Sequence, residues 1–345
     1  MIPGPYLLYL GRTADALSVK TSRGVAVWRP ELCVGELRTS PQAVTLGLPQ
    51  MGYAEARAAG ARTLVLGVAN AGGVLDDELC AAAVAALEAG LNVASGLHQR
   101  LHSRPQIRAA AERTGGRLFD LREPPGDLRV GDGKPRSGLR LLTVGTDCSV
   151  GKMYTTLALE RELRRRGVAA DFRATGQTGI LIAQGGVPVD AVVADFISGA
   201  VEAISPPRFD GGWDLIEGQG SLFHPSYAGV SLGLLHGAQP DAVVLCHEPG
   251  RRHMRGLPER TLPDLKTCLE ANLQAARLTN PSVIPVGLAL NTAGLSPAEA
   301  AAACRDASLT LDLPCQDPIA SGVGLIVDRL LECFESSLPH AKAGR

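Results

Sequence analysis

The segment GTDCSVGKMYTT, residues 145–156, limits the folds open to this chain more than any other. It follows an apolar run, LRLLTVG (139–145), and leads into GKMYTTLALERELRRRG (151–167), whose apolar residues recur at helical spacing. Strand, glycine-rich turn and helix in that order form one unit of a parallel α/β sheet. Backbone N–H groups converge in such a turn, the helix start adds partial positive charge, and Lys152 adds a full one. The turn therefore reads as a phosphate cradle built from Gly145, Thr146, Asp147, Cys148, Ser149, Val150, Gly151, Lys152, Met153 and Tyr154. Its spacing is G-x5-GK, one residue longer than the commoner G-x4-GK.

Met153 stands where a magnesium-binding Ser or Thr usually follows the lysine. A thioether is a poor magnesium ligand, because that ion takes oxygen donors in octahedral array. Thr155 or Thr156 substitutes only if the helix start is displaced. The loop is thus expected to hold phosphate, and it can do so without transferring it.

The strand–helix alternation continues on both sides. TLVLGVANAGG (63–73) gives a strand and a glycine turn, LDDELCAAAVAALEAG a helix with acidic residues in its first turn and Gly90 at its end, and LNVASGLH a further strand. GVANAGG lacks the GxGxxG spacing of a dinucleotide site and reads as an ordinary turn. In the second half AADFRATG, DLIEGQG, DAVVLCHEP and SVIPVGLALN read as strands ending in polar or glycine-rich turns. The expected fold is an N-terminal Rossmann-like parallel-sheet domain (1–125) followed by a P-loop, doubly wound α/β domain (139–345). The Pro-, Gly- and charge-rich residues 126–138 form the linker.

Composition excludes several classes. Charged residues make up 20% and hydrophobic residues 45% of 345, which suits globular domains, and a net charge of −1 gives no pull toward nucleic acid or an anionic membrane. Arg164, Arg165 and Arg166 cluster at a helix end, where they suit the dipole. The eight cysteines show no CxxC pair, so reduced thiols are expected. No apolar stretch reaches the ~20 residues of a membrane span, and the first residues do not form a signal peptide. A cytoplasmic protein is the expectation.

GTDCSVGK resembles the loop of dethiobiotin synthetase and the wider P-loop amidoligases, which share its spacing. LIEGQGSL (215–222) resembles the acid–glycine strand end of those enzymes, and Asn291 after VGLAL resembles their base-recognising asparagine. A likeness over nearly the whole chain also takes in ATGQTGILIAQGGVPVDAVVADFISGA, EGQGSLFHPSYAGVSLGLLHGAQPDAVVLCHEPGR and LNTAGL. These strings are similar to a family long of unknown function that includes D-glutamate N-acetyltransferases. The resemblance implies acetyl-CoA as cosubstrate and an acidic D-amino acid as acceptor, with a thioester rather than a phosphate bond reacting. An ATP- and magnesium-dependent ligase or carboxylase, and a nucleotide-dependent switch, are the rival readings. A homo-oligomer is the expected assembly.

N-acetylation needs a base for the ammonium proton. Glu217 at a buried strand end is one choice, the alternative being a carboxylate satisfied by the loop backbone or Lys152. Asp195, near Asp190, is a second choice or else the N-cap of the next helix. His247 is a third, its free pKa lying near ~6.5. Arg251 and Arg252 in CHEPGRRHMRG suit a substrate carboxylate, or form a solvated basic loop. Arg173, Gln177 and Thr178 are further substrate contacts. Cys148 is a possible nucleophile or a small residue filling the turn. His98 and His102 have ligand spacing but no third ligand, so no metal site is expected.

Overall fold

The computed structural model describes residues 2–16 and 18–335. Contacts divide the chain into two compact units, Met1–Pro124 with Gly176–Ala191, and Pro125–Thr175 with Val192–Arg345. Both are built on parallel sheets.

The first unit contains β1 (Tyr6–Gly11), α1 (Lys20–Trp28), β2 (Cys33–Arg38), α2 (Tyr53–Ala58), β3 (Thr63–Leu66), α3 (Asp77–Glu88), β4 (Asn92–Ser95), α4 (Pro105–Thr114) and β5 (Leu118–Asp120). The strand order is β2-β1-β3-β4-β5. Every residue of β1 and β3 is buried, because helices cover both faces of a parallel sheet. Leu7, Leu64, Leu66, Leu79, Leu87 and Ile107 share its core. The Asp76 carboxylate accepts the Leu79 N–H at 2.9 Å and starts α3, and Gly90, at φ +80°, takes the left-handed turn beyond its end.

The remaining elements are β6 (Leu139–Gly145), α5 (Lys152–Arg165), β7 (Ala170–Arg173), α6 (Gln177–Ala183), α7 (Ile197–Ile204), β8 (Trp213–Ile216), α8 (Ala228–Ala238), β9 (Ala242–His247), β10 (His253–Met254), β11 (Leu257–Thr261), α9 (Leu265–Arg277), β12 (Ile284–Leu290), α10 (Pro297–Leu311), β13 (Cys315–Gln316) and α11 (Gly324–Cys333). Of these, α6 belongs to the first unit. There Thr178 Oγ1 donates to Thr21 Oγ1 at 3.1 Å, and Arg29 donates to the Ile182 carbonyl at 2.5 Å.

The second sheet runs β13-β12-β9-β6-β8-β7, all parallel. From β6 the chain builds β7 and β8 on one side, then crosses to add β9 on the other. That reversal opens a crevice at the carboxyl end of β6, where ligands bind in such sheets. The loop 145–151 emerges there, with Gly145 paired to Cys246. A separate antiparallel hairpin, β10–β11, follows β9.

Residues 125–138 lie along the second unit. Arg136 donates to the carbonyls of Ser205 (2.8 Å) and Gly237 (2.5 Å), and the Asp132 and Gly133 N–H groups donate to the Glu202 carboxylate, each at 3.0 Å. The arginines ending α5 pair with named acids rather than with the dipole alone: Arg164 with Asp171, Arg165 with Glu162, and Arg166 with Glu162 and Asp328.

Candidate active site

The loop after β6 turns twice through the left-handed region, at Ser149 (φ +56°) and Gly151 (φ +99°), and α5 begins at Lys152. A side chain at Gly151 would be strained, so glycine is required there. Lys152 is buried, and its Nζ donates to the Asp147 carbonyl at 2.7 Å. Burial pulls its pKa below that of a free lysine, while Cys148, Cys246 and Asp147 push the other way. An anion in the loop would ease that desolvation cost. The cradle fits phosphate.

It fits magnesium poorly. Thr155 Oγ1 donates to the Gly151 carbonyl at 3.0 Å, and Thr156 Oγ1 to the Lys152 carbonyl at 2.8 Å. Both threonines are buried, and Thr143 meets Thr156 at 2.9 Å. Neither hydroxyl replaces the one missing at Met153.

Asp147 explains the outer wall of the loop. Its carboxylate is fully buried and accepts from the Cys148 N–H (2.7 Å), the Arg255 N–H (2.8 Å) and the Arg251 guanidinium (2.9 Å). Arg251 also donates to the Cys148 carbonyl at 2.8 Å and pairs with Glu248. Thus Arg251, a candidate for a substrate carboxylate, is engaged by the protein's own, whereas Arg252 is exposed. Arg255 adds a contact to Ser149 Oγ. The buried His224 lies at the same wall, its Nε2 3.3 Å from the Arg255 carbonyl and its ring 4.6 Å from that of Tyr227. Asp147, Cys148 and His224 offer ligand atoms within 4.8 Å of one another. Sequence reasoning did not single out Asp147 as an anchor, or Arg255 and His224 at all. The signal available was a histidine just after EGQGSL.

The crevice side holds His247 and Glu217. His247 Nδ1 lies 2.9 Å from Thr146 Oγ1, and its carbonyl accepts the Asn291 N–H at 2.8 Å. Burial, helped by Arg251, depresses the His247 pKa and favours the neutral ring. Asn291 Cβ lies 3.8 Å from where a Gly151 Cβ would stand, so it is beside the loop. The next residue, Thr292, donates to the Asp317 carboxylate through its N–H (2.9 Å) and hydroxyl (2.6 Å). Glu217 is buried at the tip of β8, one oxygen accepting the Thr175 N–H at 3.0 Å. A Cβ on Gly218 would lie 3.0 Å from Lys152 Cδ, which puts this strand end against the lysine.

Other candidates fall elsewhere. Arg173 turns back along the sheet to the buried Asp214 at 2.8 Å. Gln177 and Thr178 lie on α6, in the first unit. Asp195 is exposed in a turn before α7 and supplies no capping bond to that helix. Asp190 pairs with Arg122. His102 is held by Asp120 at 2.8 Å.

Comparison with known proteins agrees with this architecture. A family described as "Domain of unknown function (DUF1611_C) P-loop domain" matches residues 129–327, and its Rossmann-like N-terminal partner, DUF1611_N, matches 36–124. The chain belongs to the DUF1611 family. A solved DUF1611 protein from Anabaena variabilis is 31% identical, with a TM-score of 0.86 over 96% of this chain and 100% of that one. Relatives from a Pseudoalteromonas species and from Tritonibacter scottomollicae, each named D-glutamate N-acetyltransferase, are both 49% identical. The matches cover 95% and 96% of this chain and 99% of each relative. The reaction in that name requires an acetyl donor. Among the described residues no helix is long and apolar enough to cross a membrane.

Proposed function

We infer that this chain is a D-glutamate N-acetyltransferase that uses acetyl-CoA. The near full-length match to two relatives of that name carries the reading. The loop is compatible with the donor, since Lys152 begins the helix that follows it while Thr155 and Thr156 turn inward. Coenzyme A supplies the thioester, and its phosphates need only be held.

The proposed roles follow from position. Gly145, Thr146 and the loop to Lys152, with Met153 and Tyr154 opening the helix, seat a phosphate; Asn291 lies beside them. Glu217 takes the ammonium proton; the freed amine attacks the thioester carbon, the C–S bond breaks, and coenzyme A leaves as a thiolate that takes up the proton the nitrogen sheds on becoming an amide. His247, neutral and fixed by Thr146, orients groups on the same rim. Arg252, to whose guanidinium no bond is made among the described residues, meets a substrate carboxylate. Coenzyme A carries its phosphates and thioester at opposite ends, so the donor has to bend for both to reach this rim. The enzyme works in the cytoplasm as a homo-oligomer.

Purified protein with acetyl-CoA and a panel of D- and L-amino acids tests the reading, thiol release and the mass of the product being followed. Release is expected with D-glutamate and unaffected by a chelator. No release with D-glutamate would overturn it.

A further inference from the structure

Beside the outer wall of the loop is a crevice of about 380 Å³ that none of the roles above uses. Its lining is the run 259–263, from the end of β11 toward α9, together with Phe223, Met254 and Thr267. Its volume lies within the usual range for small-molecule sites, roughly 300–1,000 Å³. Two of its lining residues are chain neighbours of groups that contact the loop wall. Met254 precedes Arg255, whose N–H holds Asp147, and Phe223 precedes His224, which contacts the Arg255 carbonyl.

We propose that this crevice seats the pantetheine arm of the donor beside the phosphate loop, leaving the acyl end to reach the rim. The proposal rests on the acetyl-CoA reading above. The arm is an uncharged chain of methylenes and two amides, and the lining matches that chemistry. Phe223, Met254, Leu262 and Pro263 supply apolar surface, and the hydroxyls of Thr261 and Thr267 are polar. A dicarboxylate fits less well. The only charged lining residues are Glu259 and Arg260, which cancel, whereas glutamate brings two carboxylates to be balanced.

Calorimetry with coenzyme A, pantetheine and adenosine 3′,5′-bisphosphate tests the assignment. Thr261→Trp, at an exposed position, fills the crevice; it should weaken coenzyme A and pantetheine by about tenfold or more. Adenosine bisphosphate, which lacks the arm, should bind as before, and this also reports that the variant is folded. Lys152→Ala should weaken coenzyme A and adenosine 3′,5′-bisphosphate and leave pantetheine as before. Unchanged coenzyme A affinity in Thr261→Trp would overturn the proposal, as would an equal loss for all three ligands or a defect confined to the KM for D-glutamate. Pantetheine binding to the wild type tests the crevice without turnover, so its outcome is separable from failure of the acetyl-transfer reading.

Discussion

The two sheets share their parallel build, and both carry glycines where strands end, yet Gly67 and Gly96 in one serve a different end from Gly151 in the other. In the first unit, a Cβ added at Gly67, after β3, would lie 1.5 Å from Ser22 Oγ, and one at Gly96, after β4, 2.9 Å from Gln177. The protein's own side chains fill the space. At Gly151 in the second unit the nearest atom is 3.8 Å away, and the backbone is left-handed. Gly67 and Gly96 permit close packing; Gly151 shapes the cradle. GVANAGG and GTDCSVGK look alike as glycine-rich strand ends, and what a side chain would meet at Gly67 and at Gly151 differs.

The sharpest break in this comparison is chemical. Glu217→Gln should lower turnover by roughly 10²- to 10⁴-fold, the range for a lost general base, with little change in donor affinity. A variant that retains wild-type kcat removes Glu217 from the reaction.

Lys152→Ala comes next. Loss of a charge-assisted contact worth about 1.5–3 kcal/mol should weaken donor binding roughly ten- to a hundredfold, seen by calorimetry, while a remote phosphate contact leaves kcat nearly intact. Unaltered affinity would show that the loop is not the donor's phosphate site.

Gly67→Ala should act on stability instead. Overpacking against Ser22 is expected to cost about 1–3 kcal/mol in denaturant unfolding. Combining it with Ser22→Gly should recover most of the loss, since the clash is between those two groups. A fully stable Gly67→Ala would contradict the packed geometry.

The smallest effect is in pH dependence. His247 is held below the free-imidazole value of 6.5, so its neutral form persists as the pH falls through that value. The acidic limb it contributes to kcat should therefore lie below 6.5 and vanish in His247→Gln. In the same window the unfolded chain binds the proton more readily, so stability declines as pH drops. A limb above 6.5 that disappears in His247→Gln would reverse the assignment.

The sequence made seven of the strands (β3, β4, β6, β7, β8, β9 and β12) and the loop legible, because each depends on local pattern: apolar runs, glycine turns and one lysine; β1, β2, β5 and β13 were not read from it. Side-chain partners were not legible. Arg251 meets Asp147 across 104 positions, and Arg173 meets Asp214 across 41. An arginine's neighbours are set by the fold, and a buried carboxylate claims it ahead of a ligand. The β10–β11 hairpin was hidden for a related reason. Its residues are mostly exposed, so no apolar alternation marks 253–261 as strand.

Helix α6 bears on how the protein is made. The first unit is not complete in a nascent chain at Pro124, because Gly176–Ala191 has yet to be synthesised. Until then the surface that receives Thr178 and Ile182, around Thr21 and Arg29, stays uncovered. An expression fragment stopped at the apparent domain end would keep it so, and one carrying residues 125–345 alone would strand α6 without its seat. Neither cut gives an autonomous half.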